Sequence, residues 1–158
     1  SLKRFHVDQW QGEYPNEQVF LADMARGECF AVTHGGEVAA VFVLSTLEQE
    51  NYAKITDGNW TADMPYCVLH RSAVSAKYRG SGMSEFMMKC VERQAAEGFG
   101  LRCIRVDTHR KNKAMQRLLR ESGYRYRGNV LIDDAGHDPA RQAYEKILKI
   151  KNIAGGCK

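Results

Sequence analysis

A chain of 158 residues with 44% apolar and 27% charged residues can bury one real core and has the composition of an ordinary globular protein. Three prolines and no low-complexity run argue against a disordered tail, and no apolar stretch approaches the roughly 18 residues that cross a membrane. The net charge of +4 permits an anionic ligand without requiring a nucleic acid. The five cysteines are odd in number, widely spaced and never C-x-x-C, which disfavours a disulfide framework or a zinc site. With no apolar signal core in SLKRFHVDQW, they fit a reducing cytoplasm.

In chain order, NEQVFLADMAR, residues 16–26, predicts a helix capped by Asn16, with Val19, Phe20 and Met24 near one face and Gly27 as its stop. CFAVTH and EVAAVFVLS flank Gly35-Gly36 as a hairpin. Residues 46–65 are polar and irregular, a loop long enough to be a place to look for binding. YCVLHRSAV, residues 66–74, is a strand, and 83–96 is a helix with Met83, Phe86, Met87, Cys90 and Val91 at helical spacing. LRCIRVDTH, residues 101–109, is a strand whose buried face is left open by its pattern. Residues 112–122 form a helix between Asn112 as N-cap and Gly123 as stop, and two strands follow around DDAGHD. The order predicts an α/β (α+β) domain with a mixed sheet, one domain across 1–158, with 66–109 as a parallel crossover.

The stretch AVSAKYRGSGMS, residues 73–84, carries the chemistry. It reads as strand, tight turn and helix start, where the first helical amides lack intrahelical partners and the helix dipole adds positive charge. Gly80 and Gly82 remove side chains that would keep a ligand away, and Lys77 and Arg79 add full charge. Together these suit a phosphate or pyrophosphate, although a strand-to-helix turn can also carry glycines for its own geometry. The spacing is neither a Walker P-loop nor the dinucleotide fingerprint.

This stretch resembles the acetyl-CoA signature of the GNAT superfamily of N-acetyltransferases, [QR]-x-x-G-x-[GA]. Arg79 stands at the first position and Gly82 at the fourth, with Ser84 where Gly or Ala is usual. NKAMQRLLRESGY, residues 112–124, resembles the family's N-x-x-[AM]-x-x-L-[YL]-x-x-x-G-[FY] block at its usual separation. The resemblance covers roughly residues 16–148. It implies a mostly antiparallel sheet splayed between the strand ending at Val74 and the strand ending at Thr108, with acetyl-CoA in the splay. The pantetheine amides would pair with backbone around Ala73 and Val74. The pyrophosphate would lie on the amides of Arg79, Gly80, Ser81, Gly82, Met83 and Ser84. Asn112 and Met115 would contact the pantetheine arm. The implied reaction is direct transfer of acetyl to a primary amine, small or peptidic, in a ternary complex.

Such a transfer needs a base for the ammonium, donors for the developing oxyanion and, for the thiolate, an acid or a good leaving group. His70, on the strand that would line the cleft, is the base candidate, since an imidazole near pKa 6.5 suits the task. A core histidine held by a backbone carbonyl is the competing reading. Many family members carry an acid tyrosine where this chain has Leu119; Tyr124, Tyr126 and Tyr144 are the other phenols in reach of sequence reasoning. Asp107 and Glu85 read as structural or solvated. Trp10, Tyr14, Trp60 and Tyr66 either wall the acceptor pocket or cap the core. His109, Arg110, Lys111, Lys113, Arg117 and Arg120 form a solvated helix face or hold a 3′-phosphate.

GNAT domains begin with a strand, and none is visible before SLKRFHVDQW, so the family's first strand is expected to be absent here. A non-catalytic acyl-CoA-binding or sensor domain is the alternative, motivated by Leu119 and that strand. Neither a membrane nor a nucleic acid is expected as a partner; a homodimer through the last strand is a fold-level expectation.

Overall fold

The computed structural model describes residues 16–61, 63–132 and 138–149. The expectations for the N-terminal strand, Trp10 and Tyr14, and most of the DDAGHD turn, lie outside them.

Helix α1, Glu17–Ala25, starts where the cap predicts: Asn16 is extended and its Oδ1 accepts from the Val19 amide at 3.0 Å. Its packing differs from expectation. Leu21 and Met24 are exposed, and the one residue the helix buries fully is Asp23. Ion pairs described below hold it to the sheet.

Strands β1, Cys29–His34, and β2, Glu37–Ser45, form the hairpin, with Gly35 and Gly36 both at positive φ as a two-residue primed turn requires. Strand β3, Tyr66–Val74, pairs antiparallel with β2. Helix α2, Met83–Arg93, runs into a wider π turn over Gln94–Gly98 and returns the chain to β4, Cys103–His109, parallel to β3. Helix α3, Lys113–Glu121, is capped by Asn112, and strands β5, Arg125–Leu131, and β6, Ala140–Ile147, complete a six-stranded sheet in the order β1-β2-β3-β4-β6-β5. Only the β3–β4 pair is parallel. The expected mixed, mostly antiparallel sheet is the one observed.

The sheet is buried on both faces. Phe42, Leu44, Cys67, Leu69, Ile104 and Val106 meet Met87, Met88 and Val91 of α2 and Leu119 of α3 in the main core. The alternate residue Val68 joins Tyr52, Val130 and Ala143 in a smaller cluster on the other face, covered by Ile55, Trp60 and Tyr66 of the 46–65 segment. This resolves the open question about β4: Cys103, Ile104, Arg105 and Val106 are all buried because both faces are covered.

Candidate active site

β3 and β4 share three rungs, Tyr66↔Cys103, Cys67↔Ile104 and Val68↔Arg105, and then part. Each keeps its outer partner: β3 pairs with β2 as far as Val74, and β4 with β6 as far as His109. The wedge between them therefore has backbone polar groups along its inner edges, and in a pleated strand alternate amides and carbonyls point to that side. It opens into a cleft of about 1750 Å³, lined by His70, Ala73, Val74, Arg79, Ser84, Asn112 and Met115, all sequence candidates. That exceeds the roughly 300–1,000 Å³ of ordinary small-molecule pockets.

At one end lies the glycine turn. Gly80 and Gly82 have φ of +72° and +83°, where L side chains are strained, and a Cβ on either would meet nothing within 4 Å. Their glycines answer the turn's backbone conformation, and the turn faces open space. Gly82 is the N-cap of α2 and no side chain caps the helix, so its first amides are left for an outside acceptor. Ser81 turns its hydroxyl back to the Tyr78 carbonyl at 2.7 Å, and Met83 packs against the main core. Lys77, expected to add charge here, is taken by Glu37 at 2.5 Å; Arg79 and Arg117 are the cations on this part of the cleft wall. Across the wedge, Asn112 spends its Oδ1 on the Met115 amide at 3.2 Å, placing both residues at the α3 N-terminus on the cleft.

The other group forms where the strands part. His70 is two residues past Val68 and Asp107 two past Arg105, so the pleat turns both toward the face of the smaller cluster. Burial pulls the His70 pKa below 6.5, with Asp107 as the largest opposing influence, so the ring is neutral at neutral pH. The Tyr52 phenol, from the 3₁₀ turn Glu50–Lys54, donates to Asp107 Oδ2 at 2.8 Å. Burial first, then the Asp107 charge, push that phenol well above 10, so it stays a donor. The sequence reads Asp107 as structural or solvated, and the bond from Tyr52, which its pattern does not single out, makes it a held carboxylate.

Just after His70 the register of β3 slips against β2: Val43 opposes His70 and Val41 opposes Ala73, so two residues of β3 face one of β2. Arg71, in this bulge, has φ of +26°, a conformation costing of order 1–3 kcal/mol for a non-glycine residue. Its side chain reaches the buried Asp23 of α1 through Nε at 2.9 Å and Nη2 at 2.7 Å. Arg26 adds a contact to Asp23 at 2.5 Å and one to Glu28 at 2.8 Å. The network locks α1 to the strand immediately beside His70.

Other expectations are not brought to the cleft. Leu119 is fully buried in the main core, so the position where the resemblance implies an acid in many members is here apolar and closed. Tyr124 is buried; Tyr126 and Tyr144 pack edge to face at 5.8 Å, with Tyr144 donating to Gln142. Trp60 does not wall the cleft. It donates Nε1 to the Tyr52 carbonyl at 2.8 Å and stacks with Tyr66 around the Arg105 guanidinium, which pairs with Glu145. Of the basic group, His109 is buried and Arg110 pairs with Asp138 at 2.9 Å, whereas Arg117, which pairs with Glu121 at 2.7 Å, does reach the cleft wall. Among the described residues no helix is long and apolar enough to cross a membrane.

The acetyltransferase (GNAT) family model matches residues 1–124. A GNAT acetyltransferase from Streptococcus agalactiae is 32% identical, with a TM-score of 0.83 over 94% of this chain and 83% of that one. A Bacillus subtilis acetyltransferase solved in complex with CoA is 18% identical, with a TM-score of 0.61 over 86% of each chain. The Escherichia coli ribosomal-protein-S18-alanine N-acetyltransferase is 14% identical, with a TM-score of 0.63 over 98% of this chain and 91% of that one. The last two share the fold. No curated protein matches the chain.

Proposed function

The chain belongs to the acetyltransferase (GNAT) family, and we propose that it transfers the acetyl group of acetyl-CoA to a primary amine by direct attack in a ternary complex. The observation that carries this is the single cleft joining an uncapped glycine turn at one end to His70 and Asp107 at the other. The residues present fit the cofactor: the turn offers free helical amides to a pyrophosphate, and the unpaired inner edge of β3 offers amides and carbonyls to an extended amide chain. Acetyl-CoA, when bound, supplies an activated thioester.

In this reading the amides of Gly80, Gly82, Met83 and Ser84 would hold the pyrophosphate, with the Arg79 guanidinium adding charge; the expected amides of Arg79 and Ser81 already donate to the Ala76 and Tyr78 carbonyls at 3.4 and 3.3 Å. Backbone at Ala73 and Val74 aligns the arm and donates to the charge that develops on the acyl oxygen. Met115, Met87 and Val106 keep that stretch apolar. Asp107 draws the ammonium group into the wedge. His70, neutral at pH 7, takes its proton, and the same carboxylate then steadies the imidazolium. With Leu119 in place of a phenol, no acid from that position would protonate the departing thiolate, and a thiolate whose conjugate acid has a pKa of about 8.5 can leave without one. We place the whole process in one domain over 1–158, in the cytoplasm, with a small or peptidic amine as acceptor; the expected homodimer through the last strand is not available to β6, which is paired on both sides, and an edge-to-edge homodimer would use β1 or β5.

The test couples calorimetry to thiol release. Acetyl-CoA should bind the wild type in the micromolar range and fail to bind Gly82→Trp, and a panel of amines should give amine-dependent release of coenzyme A thiol. Binding without amine-dependent release would favour the non-catalytic acyl-CoA-binding alternative. No binding by the wild type would remove both.

A further inference from the structure

Tyr52 lies in the polar 46–65 segment, yet it is only 1% exposed. Its ring packs at 5.0 Å from Trp60 and 6.3 Å from Tyr66. Its phenol reaches 55 residues along the chain to Asp107 Oδ2, while its neighbours Glu50, Asn51 and Lys54 line the cleft. Among the described residues, the Tyr52 hydroxyl alone bonds the Asp107 side chain, and it takes only one of the two oxygens. A carboxylate at the edge of an open wedge has free rotation about its side chain unless something fixes it.

The segment that carries Tyr52 is itself fixed. Trp60 and Tyr66 clasp Arg105, two residues before Asp107 on the same face of β4, with ring centroids 4.3 Å and 4.0 Å from the guanidinium carbon. Glu145 of β6 pairs with Arg105 and accepts from the Thr61 amide at 3.0 Å. Thr56 bridges to Asn129 of β5. Tyr52 therefore approaches Asp107 from a rigid support, with the geometry that positioning a charged group requires.

We propose that Tyr52 is a positioning residue: it fixes the Asp107 carboxylate with Oδ2 occupied and Oδ1 free to receive the acceptor's ammonium group beside His70. This rests on the acetyl-transfer reading and adds to it how the amine is oriented. The cleft-lining 3₁₀ turn and the amine-binding carboxylate thus form one unit.

The experiment is a double-mutant cycle on the full chain, with steady-state kinetics for putrescine, tyramine and an alanine-initiated tetrapeptide amide as probes. Tyr52→Phe keeps the ring and removes the hydrogen bond. It should raise the amine KM about tenfold while changing kcat less than about threefold and leaving the acetyl-CoA KM unaltered. Asp107→Asn should raise the amine KM further, and adding Tyr52→Phe to it should change little more, because the two act as one. Parallel rises in both KM values would mean that the phenol merely supports the fold, and would overturn the proposal. So would an unchanged amine KM, or a Tyr52→Phe effect that persists undiminished in the Asp107→Asn background. Circular dichroism melting of each variant separates lost folding from lost positioning: a Tyr52→Phe chain unfolded at assay temperature assigns the hydroxyl to stability and overturns the proposal as well. A wild type that acetylates none of the three amines overturns the acetyl-transfer reading, and this inference with it; a wild type that turns over with Tyr52→Phe unaffected overturns this inference alone.

Discussion

His70 and Asp107 occupy matching positions on two parallel strands that have just let go of each other, each two residues past the final rung at Val68 and Arg105. The pleat gives both side chains the same face, and the parting strands leave room between them for a third group. A base and an anion so placed can receive an ammonium ion and remove its proton without either having to move.

If His70 is the base, His70→Ala should lower kcat by about 10²–10⁴ while acetyl-CoA binding persists. The pH dependence has a definite sign. The folded pKa lies below 6.5, so the active neutral form is complete at neutral pH and is lost as the pH falls through the depressed value. The wild-type kcat/KM should show an acid limb with its midpoint below 6.5. An acid limb that survives in His70→Ala would assign it to another group. Between 6.5 and the depressed value the unfolded chain binds a proton that the folded chain does not, so His70 also makes the fold less stable as the pH drops through that window.

Gly82→Ala and Gly35→Ala make a matched pair. Both glycines have positive φ and open space where a Cβ would go, so each substitution should cost about 1–2 kcal/mol of stability. Only Gly82 sits at the uncapped start of α2. Isothermal titration should show acetyl-CoA affinity falling by about tenfold or more for Gly82→Ala and unchanged for Gly35→Ala. Equal effects would mean the turn acts through stability alone.

Asp23 is buried beneath two arginines, and removing it breaks its ion pair with the Arg71 guanidinium, itself only 12% exposed. Urea unfolding of Asp23→Ala should show a loss of about 3–5 kcal/mol, the penalty for breaking a buried ion pair from one side. A loss under about 1 kcal/mol would mean that α1 is held by something other than this pair.

Installing a phenol at Leu119 should not create an acid. The side chain is fully buried in the main core, and Leu119→Tyr overfills it. We expect about 1–3 kcal/mol of destabilisation and no rise in kcat. A faster enzyme would show that α3 can turn this position toward the cleft.

Much of the frame was legible because its signals are local. Asn16 and Asn112 cap helices through amides three residues on, and Gly35-Gly36 closes a hairpin between adjacent strands. The glycine turn was legible for the same reason. The rest depended on partners far along the chain. Asp23 is buried because Arg71 lies against it 48 residues later, and Asp107 is held because Tyr52 lies 55 residues earlier. Trp60 in a polar segment gives no sign that Arg105 will draw it onto the sheet. The bulge at Arg71 is invisible in YCVLHRSAV, which carries no glycine or proline to mark a break in the strand. Ion pairs of this kind carry no periodicity, so a pattern that finds apolar faces passes over them.

With only three rungs between β3 and β4, the sheet is two three-stranded halves stitched at one end. One half comes from residues 29–74 and the other from 103–147, each an uninterrupted span of chain with antiparallel neighbours. Within each half the strands pair antiparallel along their length, whereas the seam has only its three parallel rungs. Amides along that seam should exchange with solvent sooner than those inside either half, and a ligand wedged between the halves would slow them by bracing the two parts against each other.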